Sequence, residues 1–206
     1  MSKAVYSEES KRWRFVQTLD WTRSFGKHDL GALVGYEAIR NWGFNTDMAK
    51  QGAADASLTD LSTYTELSNI TGTTWENTSR SFFGRLTYAY KSRYLFEVNA
   101  RYDGSSRFAP ESRWGFFPSF SGGWRVSEES FMQGSPFDNL KIRLSWGKLG
   151  NNSIGDYEWQ ATYSGSNYIF GDKLTSGLAQ TVIANQKLRW ESVTQTNIGL
   201  DFAILN

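Results

Sequence analysis

An all-β fold, specifically an antiparallel transmembrane β-barrel segment of about seven strands with long extracellular loops, is predicted by three features of the sequence. Apolar and polar residues alternate with a period of two in stretch after stretch. Aromatic rings crowd a polar chain: Trp 9, Tyr 10 and Phe 14 make up 16% of 206 residues, yet the mean hydropathy is −0.51. The connections between the alternating stretches are short and long by turns. Strict alternation sends one set of side chains to an apolar face and the other to a wet face. Aromatic girdles with uneven loops are marks of a membrane barrel.

In chain order, Trp13, Phe15 and Leu19 alternate with Arg12, Arg14 and Thr18, and Leu30, Ala32, Val34 and Tyr36 with Gly31, Leu33, Gly35 and Glu37. Phe82, Gly84, Leu86, Tyr88 and Tyr90 then oppose Ser81, Phe83, Arg85, Thr87 and Ala89. Tyr94, Phe96, Val98, Ala100 and Tyr102 oppose Leu95, Glu97, Asn99 and Arg101. A stretch from Phe116 to Val126 contains Pro118, which removes a ladder hydrogen bond and suits a strand end or a bulge. Leu140, Ile142, Leu144 and Trp146 alternate with Lys141, Arg143, Ser145 and Gly147, and Ile198, Leu200, Phe202 and Ile204 with Asn197, Gly199, Asp201 and Ala203. These stretches suit the roughly 9–11 residues of a tilted membrane crossing.

The turns at 22–29 and 91–93 are short. Segment 127–139 is of medium length, with a helical turn expected from Glu128 to Met132. Segments 41–79, 103–115 and 150–191 are the longer connections, the last with an extra hairpin expected around Tyr157–Tyr163 and Gln180–Ala184. Barrels keep their short turns on the periplasmic side, so these three segments are expected to face the cell exterior.

Several function classes lose support. A net charge of +1 gives no electrostatic footprint for nucleic acid. Absence of cysteine removes disulfide frameworks and zinc-thiolate sites. Metal-ligand spacing is absent, His28 is the sole histidine, and no catalytic residue or cofactor is expected, so the chain is not read as an enzyme. A glycoside hydrolase would need a pair of acting carboxylates, and no spacing singles one out. Gly147-Lys148-Leu149-Gly150 lacks the spacing of a phosphate loop. No run of 18 apolar residues could form a membrane helix. The first ten residues have no apolar signal-peptide core, so an exported protein starting this way is processed or a fragment. A soluble, aromatic-rich β-sandwich that binds carbohydrate alternates in the same manner and stands as the alternative.

On the barrel reading, Arg85, Glu97, Arg101, Arg125 and Arg143 face the lumen, because a charge on the lipid face costs about 2–4 kcal/mol at mid-depth. Trp13, Trp21, Tyr88, Tyr90, Tyr94, Trp124 and Trp146 are girdle residues. Substrate-binding candidates are the loop aromatics Trp42, Phe44, Tyr64, Trp75, Trp159, Tyr163, Tyr168 and Phe170, since sugar rings stack on flat apolar faces. The alternative for these is packing within the loops or against a partner. The stretch Arg101 to Phe108 is read as a hydrogen-bonded corner in preference to a substrate contact.

The string Arg101-Tyr102-Asp103-Gly104-Ser105-Ser106-Arg107-Phe108 leads into Arg113-Trp114-Gly115-Phe116-Phe117-Pro118-Ser119 and Gly122-Gly123-Trp124-Arg125. Ser127-Glu128-Glu129-Ser130-Phe131-Met132, Leu140 to Gly147 and Leu149-Gly150-Asn151-Asn152 follow, then Leu188-Arg189-Trp190-Glu191 and Thr194 to Asp201. This order resembles the C-terminal half of the barrel in the SusC/RagA family of TonB-linked outer-membrane transporters. The first 79 residues resemble it more loosely, chiefly in Leu33-Val34-Gly35-Tyr36-Glu37. The resemblance implies a plugged barrel of the 22-strand type in the bacterial outer membrane. It also implies import of glycans or peptides, a SusD-like surface lipoprotein over the mouth, energy from the TonB complex, and contact with outer-membrane lipid but not nucleic acid. Residues 1–206 would then be a partial barrel, truncated at both ends and without the plug.

Overall fold

The computed structural model describes residues 2–55, 57 and 59–204. Its strands are β1 (Ser2–Phe25), β2 (His28–Gln51), β3 (Glu66–Tyr90), β4 (Tyr94–Ser105), β5 (Trp114–Arg125), β6 (Phe137–Asn151), β7 (Thr162–Phe170), β8 (Lys173–Val182) and β9 (Glu191–Ile204). Seven form one antiparallel sheet in the order β1-β2-β3-β4-β5-β6-β9, and β7 and β8 form a separate hairpin. The all-β, seven-strand expectation therefore holds for the main sheet.

By backbone contacts the chain divides into two units, Met1–Arg14 with Ile39–Thr78, and Phe15–Ala38 with Ser79–Asn206. In the first, most of the loop expected at 41–79 is strand, because β2 continues to Gln51 and β3 starts at Glu66. Neither face here is apolar enough to show a period of two. Cross-strand side-chain bonds tie the ribbon together instead. Arg40 donates Nε and Nη2 to the two carboxylate oxygens of Glu76 at 2.9 and 3.0 Å. Asn41 donates to Asn77 at 2.8 Å. Gly43 leaves its side-chain space to the Trp75 indole, whose Nε1 donates to Asn45 at 3.4 Å.

In the second unit the registers fix the two faces. Tyr88, Phe96, Gly122, Leu144 and Ile198 stand opposite one another across β3, β4, β5, β6 and β9. So do Leu86, Val98, Phe120 and Trp146 on the first four of these strands, and Tyr90, Tyr94, Trp124, Ile142 and Leu200 across all five. Rings stack on this face, as in the diagonal pair Tyr102–Trp114 at 4.8 Å and the row neighbours Phe120–Trp146 at 5.7 Å. Yet the face is exposed: Ile198 is 80% accessible, Leu86 60% and Leu144 54%. Among the described residues the buried apolar side chains are Tyr64, Phe108, Ala109, Phe117 and Val126.

This contradicts the sandwich alternative, in which a second sheet about 10 Å away covers the apolar face. The second sheet present is the β7–β8 hairpin, whose residues are all exposed. Burying a Leu or Phe side chain is worth about 1.5–3 kcal/mol, and here that gain awaits another apolar phase. No helix among the described residues is long and apolar enough to cross a membrane, which says nothing of a β-barrel.

Other details differ from expectation. Pro118 lies inside β5 and pairs regularly with Ala100. The ladder to β6 begins one residue later at Ser119, so the missing N–H falls where that neighbour is not paired. The expected helical turn at 128–132 is two 3-10 turns, Val126–Glu128 and Ser130–Met132. The extra hairpin exists, but as Thr162–Phe170 and Lys173–Val182, turning at Gly171 with φ 60°.

Candidate functional site: a polar sheet face and the clusters at its ends

Opposite the apolar rows runs a polar wall. Thr87, Glu97, Ser121, Ser145 and Asn197 form one cross-strand row. Arg85, Asn99, Ser119, Gly147 and Gln195 form the next. A concavity of about 850 Å3 opens on this face, lined by Asp29, Glu97, Ser121, Gly123, Lys141, Arg143 and Asn197 among others. It combines hydroxyls, an amide and charges of both signs, with Arg23, Lys141 and Arg143 against Asp29 and Glu97, a surface that can hydrogen-bond a polar solute. No group of three or more metal-ligating side chains occurs among the described residues.

The five charged residues expected in the lumen differ in their neighbours: Arg85 and Glu97 stand in the two polar rows, whereas Arg101 pairs across strands with Phe83 and Phe117, and Arg143 with Gly123 and Gly199. Arg143 grips Asp201 in a bidentate pair at 2.7 and 2.8 Å. Arg101 lies 3.1 Å from Asp103 and 3.6 Å from Glu37, with its guanidinium over the Phe83 ring. Glu97 accepts from Asn99 at 2.8 Å. Arg125 stands opposite Lys141, and neither Arg125 nor Arg85 forms an ion pair among the described residues.

At the end with the long loops, the corner expected at Arg101–Phe108 forms only beyond Ser105, because Asp103 and Gly104 continue β4 in register with β3 and β5, and the connection expected over 103–115 shrinks to 106–113. Phe108 is fully buried against Trp190, 5.3 Å between centroids, and Phe117 meets the same indole at 5.2 Å. Trp190 Nε1 donates to the Arg113 carbonyl at 2.9 Å. Arg107 donates to Asp156 at 2.8 Å, and Asn152 donates to Ser105 at 3.3 Å. A side chain on Gly150 or Gly115 would run into the Phe117 ring. The glycines of Trp114-Gly115 and Leu149-Gly150 thus make room for one knot that binds four distant stretches of chain.

At the other end sits a residue that sequence reasoning assigned no role beyond a helix start. Glu129 accepts from Arg93 Nη1 at 2.7 Å, Tyr94 Oη at 2.6 Å and Trp124 Nε1 at 3.0 Å. These bonds, the Tyr94 hydroxyl's first, hold its carboxyl below the usual carboxylate range. Nothing local marks it, since two of the partners lie 35 and 36 residues away. His28, the sole histidine, is part-buried, bonded to Tyr88 Oη at 2.9 Å and stacked on Phe25.

The aromatic binding candidates separate by placement. Trp42, Phe44 and Trp75 stand on strands β2 and β3, not in a loop. Arg40 lies 4.9 Å over the Trp42 ring. Tyr64 is buried, and Trp159 carries a buried Nε1 that has no hydrogen-bond partner among the described residues. Phe44, Tyr163, Tyr168 and Phe170 are exposed, with Tyr168 and Phe170 in edge contact at 5.1 Å. Trp13 and Trp146 fall within β1 and β6, away from the strand ends expected of girdle residues.

Comparison with known proteins adds relatives. A family model described as "TonB dependent receptor-like, beta-barrel" matches residues 2–205. The chain is similar to the TonB-dependent receptor SusC of Bacteroides thetaiotaomicron, 37% identical over 194 residues that cover 91% of this chain and 19% of that protein. A TonB-dependent receptor of Formosa agariphila is 34% identical over 191 residues, with the same two coverages, 91% and 19%. The chain therefore spans about a fifth of the length of these curated relatives. Among solved structures, that of the RagAB peptide transporter superposes with a TM-score of 0.85 at 30% identity, covering 100% of this chain and 23% of the other.

Proposed function

The chain belongs to the TonB dependent receptor-like β-barrel family, and on that premise we propose that it forms part of the wall of an outer-membrane active transporter importing glycans or peptides. The observation that carries this reading is the register itself. The same strands place an exposed apolar row and a continuous polar row on opposite faces. Lipid satisfies the first and an aqueous lumen the second. The lumen-facing set is Arg85, Glu97, Arg101, Arg125 and Arg143. The loops at 52–65, 106–113 and 152–190 face the exterior, where a SusD-like lipoprotein covers the mouth. The TonB complex supplies the energy through a plug elsewhere in the whole protein. The exposed rings Phe44, Tyr163, Tyr168 and Phe170 are the first candidates to stack on a solute, ahead of the covered Trp42, Tyr64, Trp75 and Trp159.

Two measurements test this. A membrane-impermeant maleimide should label Ser145→Cys in the full-length receptor and leave Leu144→Cys unlabelled. Equal labelling would overturn the assignment of faces. Deleting the gene should remove growth on either an oligosaccharide mixture or a peptide mixture as sole carbon source, and undiminished growth on both would overturn the transport reading.

A further inference from the structure

We infer that the short-turn rim of the sheet binds the phosphate of an anionic phospholipid between the ammonium groups of Lys27 and Lys91. Five successive strands each place a ring at this rim: Phe25, His28, Tyr90, Tyr94 and Trp124. The rings form a chain, with Phe25–His28 at 5.5 Å, His28–Tyr90 at 4.9 Å and Tyr90–Tyr94 at 6.3 Å, and Tyr94 is paired with Trp124 in register. Such a belt marks the boundary between acyl chains and headgroups. The two turns just beyond it are joined, because Lys91 N–H donates to the Lys27 carbonyl at 2.7 Å. Both lysines are exposed and neither forms an ion pair among the described residues. The carboxylate tied to this rim, Glu129, is already committed to Arg93, Tyr94 and Trp124, and Asp29 lines the polar concavity. Exposed Glu128 also stands in the turn at this rim, and among the described residues it pairs with neither lysine.

The backbone points the same way. Lys91 and Ser92 take φ of 53° and 52° in the turn closed by Arg93 N–H on the Tyr90 carbonyl at 3.0 Å, left-handed positions that tight hairpin turns normally fill with Asn or Gly. A lysine there is conformationally costly, and such a residue is a pointer to function. Its Nζ lies 5.4 Å over the Tyr90 ring, which aims the ammonium along the belt where a headgroup phosphate would lie. The belt favours a lipid over free phosphate, because it continues into the exposed apolar rows that acyl chains would cover.

This inference rests on the lipid-facing reading of the apolar face, and the experiment separates the two. The full-length receptor, labelled with a fluorophore at Ser92→Cys, is placed in bilayers containing phosphatidylglycerol or phosphatidylcholine spin-labelled near the headgroup. Quenching by phosphatidylglycerol should reach half-maximum at a several-fold lower mole fraction, about fivefold for each lysine. Lys27→Gln/Lys91→Gln should erase the preference, and Lys27→Arg/Lys91→Arg should keep it. Equal quenching by both lipids in the unaltered protein would overturn the inference and leave the lipid-facing reading standing. A preference that survives the double glutamine change would overturn it likewise, as would one abolished by millimolar inorganic phosphate. Absence of quenching by either lipid would overturn both.

Discussion

The ring of Phe117 occupies the space where a side chain on Gly150 would begin. Two strands therefore share one volume, and the glycine of Leu149-Gly150-Asn151 is required by a residue more than thirty positions earlier. Gly150→Ala should destabilise the folded receptor by about 1–3 kcal/mol through overpacking. Thermal unfolding in detergent measures this. Phe117→Leu should partly rescue the double variant, and a purely additive loss would refute the shared-volume explanation.

Leu144→Arg should block assembly of the full-length receptor, since a lipid-face cation at mid-depth costs about 2–4 kcal/mol. Arg143→Gln, one residue away, should assemble normally, because its pair with Asp201 is solvent-exposed and exposed pairs add little to stability. The amount of folded protein recovered from the outer membrane reads both. Equal tolerance of the two changes would reverse the faces.

Much of this wall was legible from alternation alone. β4, β6 and β9 face one uniform apolar phase, so every second residue obeys the same rule. The segments Asn41–Asp47 of β2 and Asn69–Thr78 of β3 are rich in Asn, Thr and Gly and carry only scattered apolar residues, such as Trp42, Phe44, Ile70 and Trp75. Their strand character comes from neighbours such as the Arg40–Glu76 and Asn41–Asn77 pairs, which no local window contains. The knot around Trp190 was readable as motifs but not as one object, because its members meet only after the strands are in register. Glu129 was invisible for the same reason.

Acid should expose the role of Glu129. Its folded-state carboxyl is held below the ordinary range by Tyr94, Trp124 and Arg93. Its contribution to stability is therefore fully present above the unfolded pKa, about 4.3, and is lost as pH falls through the lowered folded value. Glu129→Gln should flatten the fall in stability that begins below about pH 5. Denaturant titrations across this range, followed by tryptophan emission, provide the check. Identical pH profiles would remove the carboxylate from the account.

Cutting the Arg107–Asp156 link should loosen the segment that follows β6. Both side chains are largely shielded, at 29% and 17% accessibility, so Arg107→Ala should cost about 1–3 kcal/mol. It should also speed proteolysis within 152–161. Unchanged cleavage kinetics would show that the Phe108–Trp190 contact holds the corner by itself.

The pairing of β6 with β9 runs from Phe137↔Ile204 to Asn151↔Glu191, while β7 and β8, which lie between them in the chain, join neither. The excursion leaves the wall and returns to the adjacent place in it. Doubling its length would add only about 0.6 kcal/mol of closure entropy, and no ladder bond of the main sheet would shift. The excursion can therefore change in length and sequence while the wall on either side of it keeps its register.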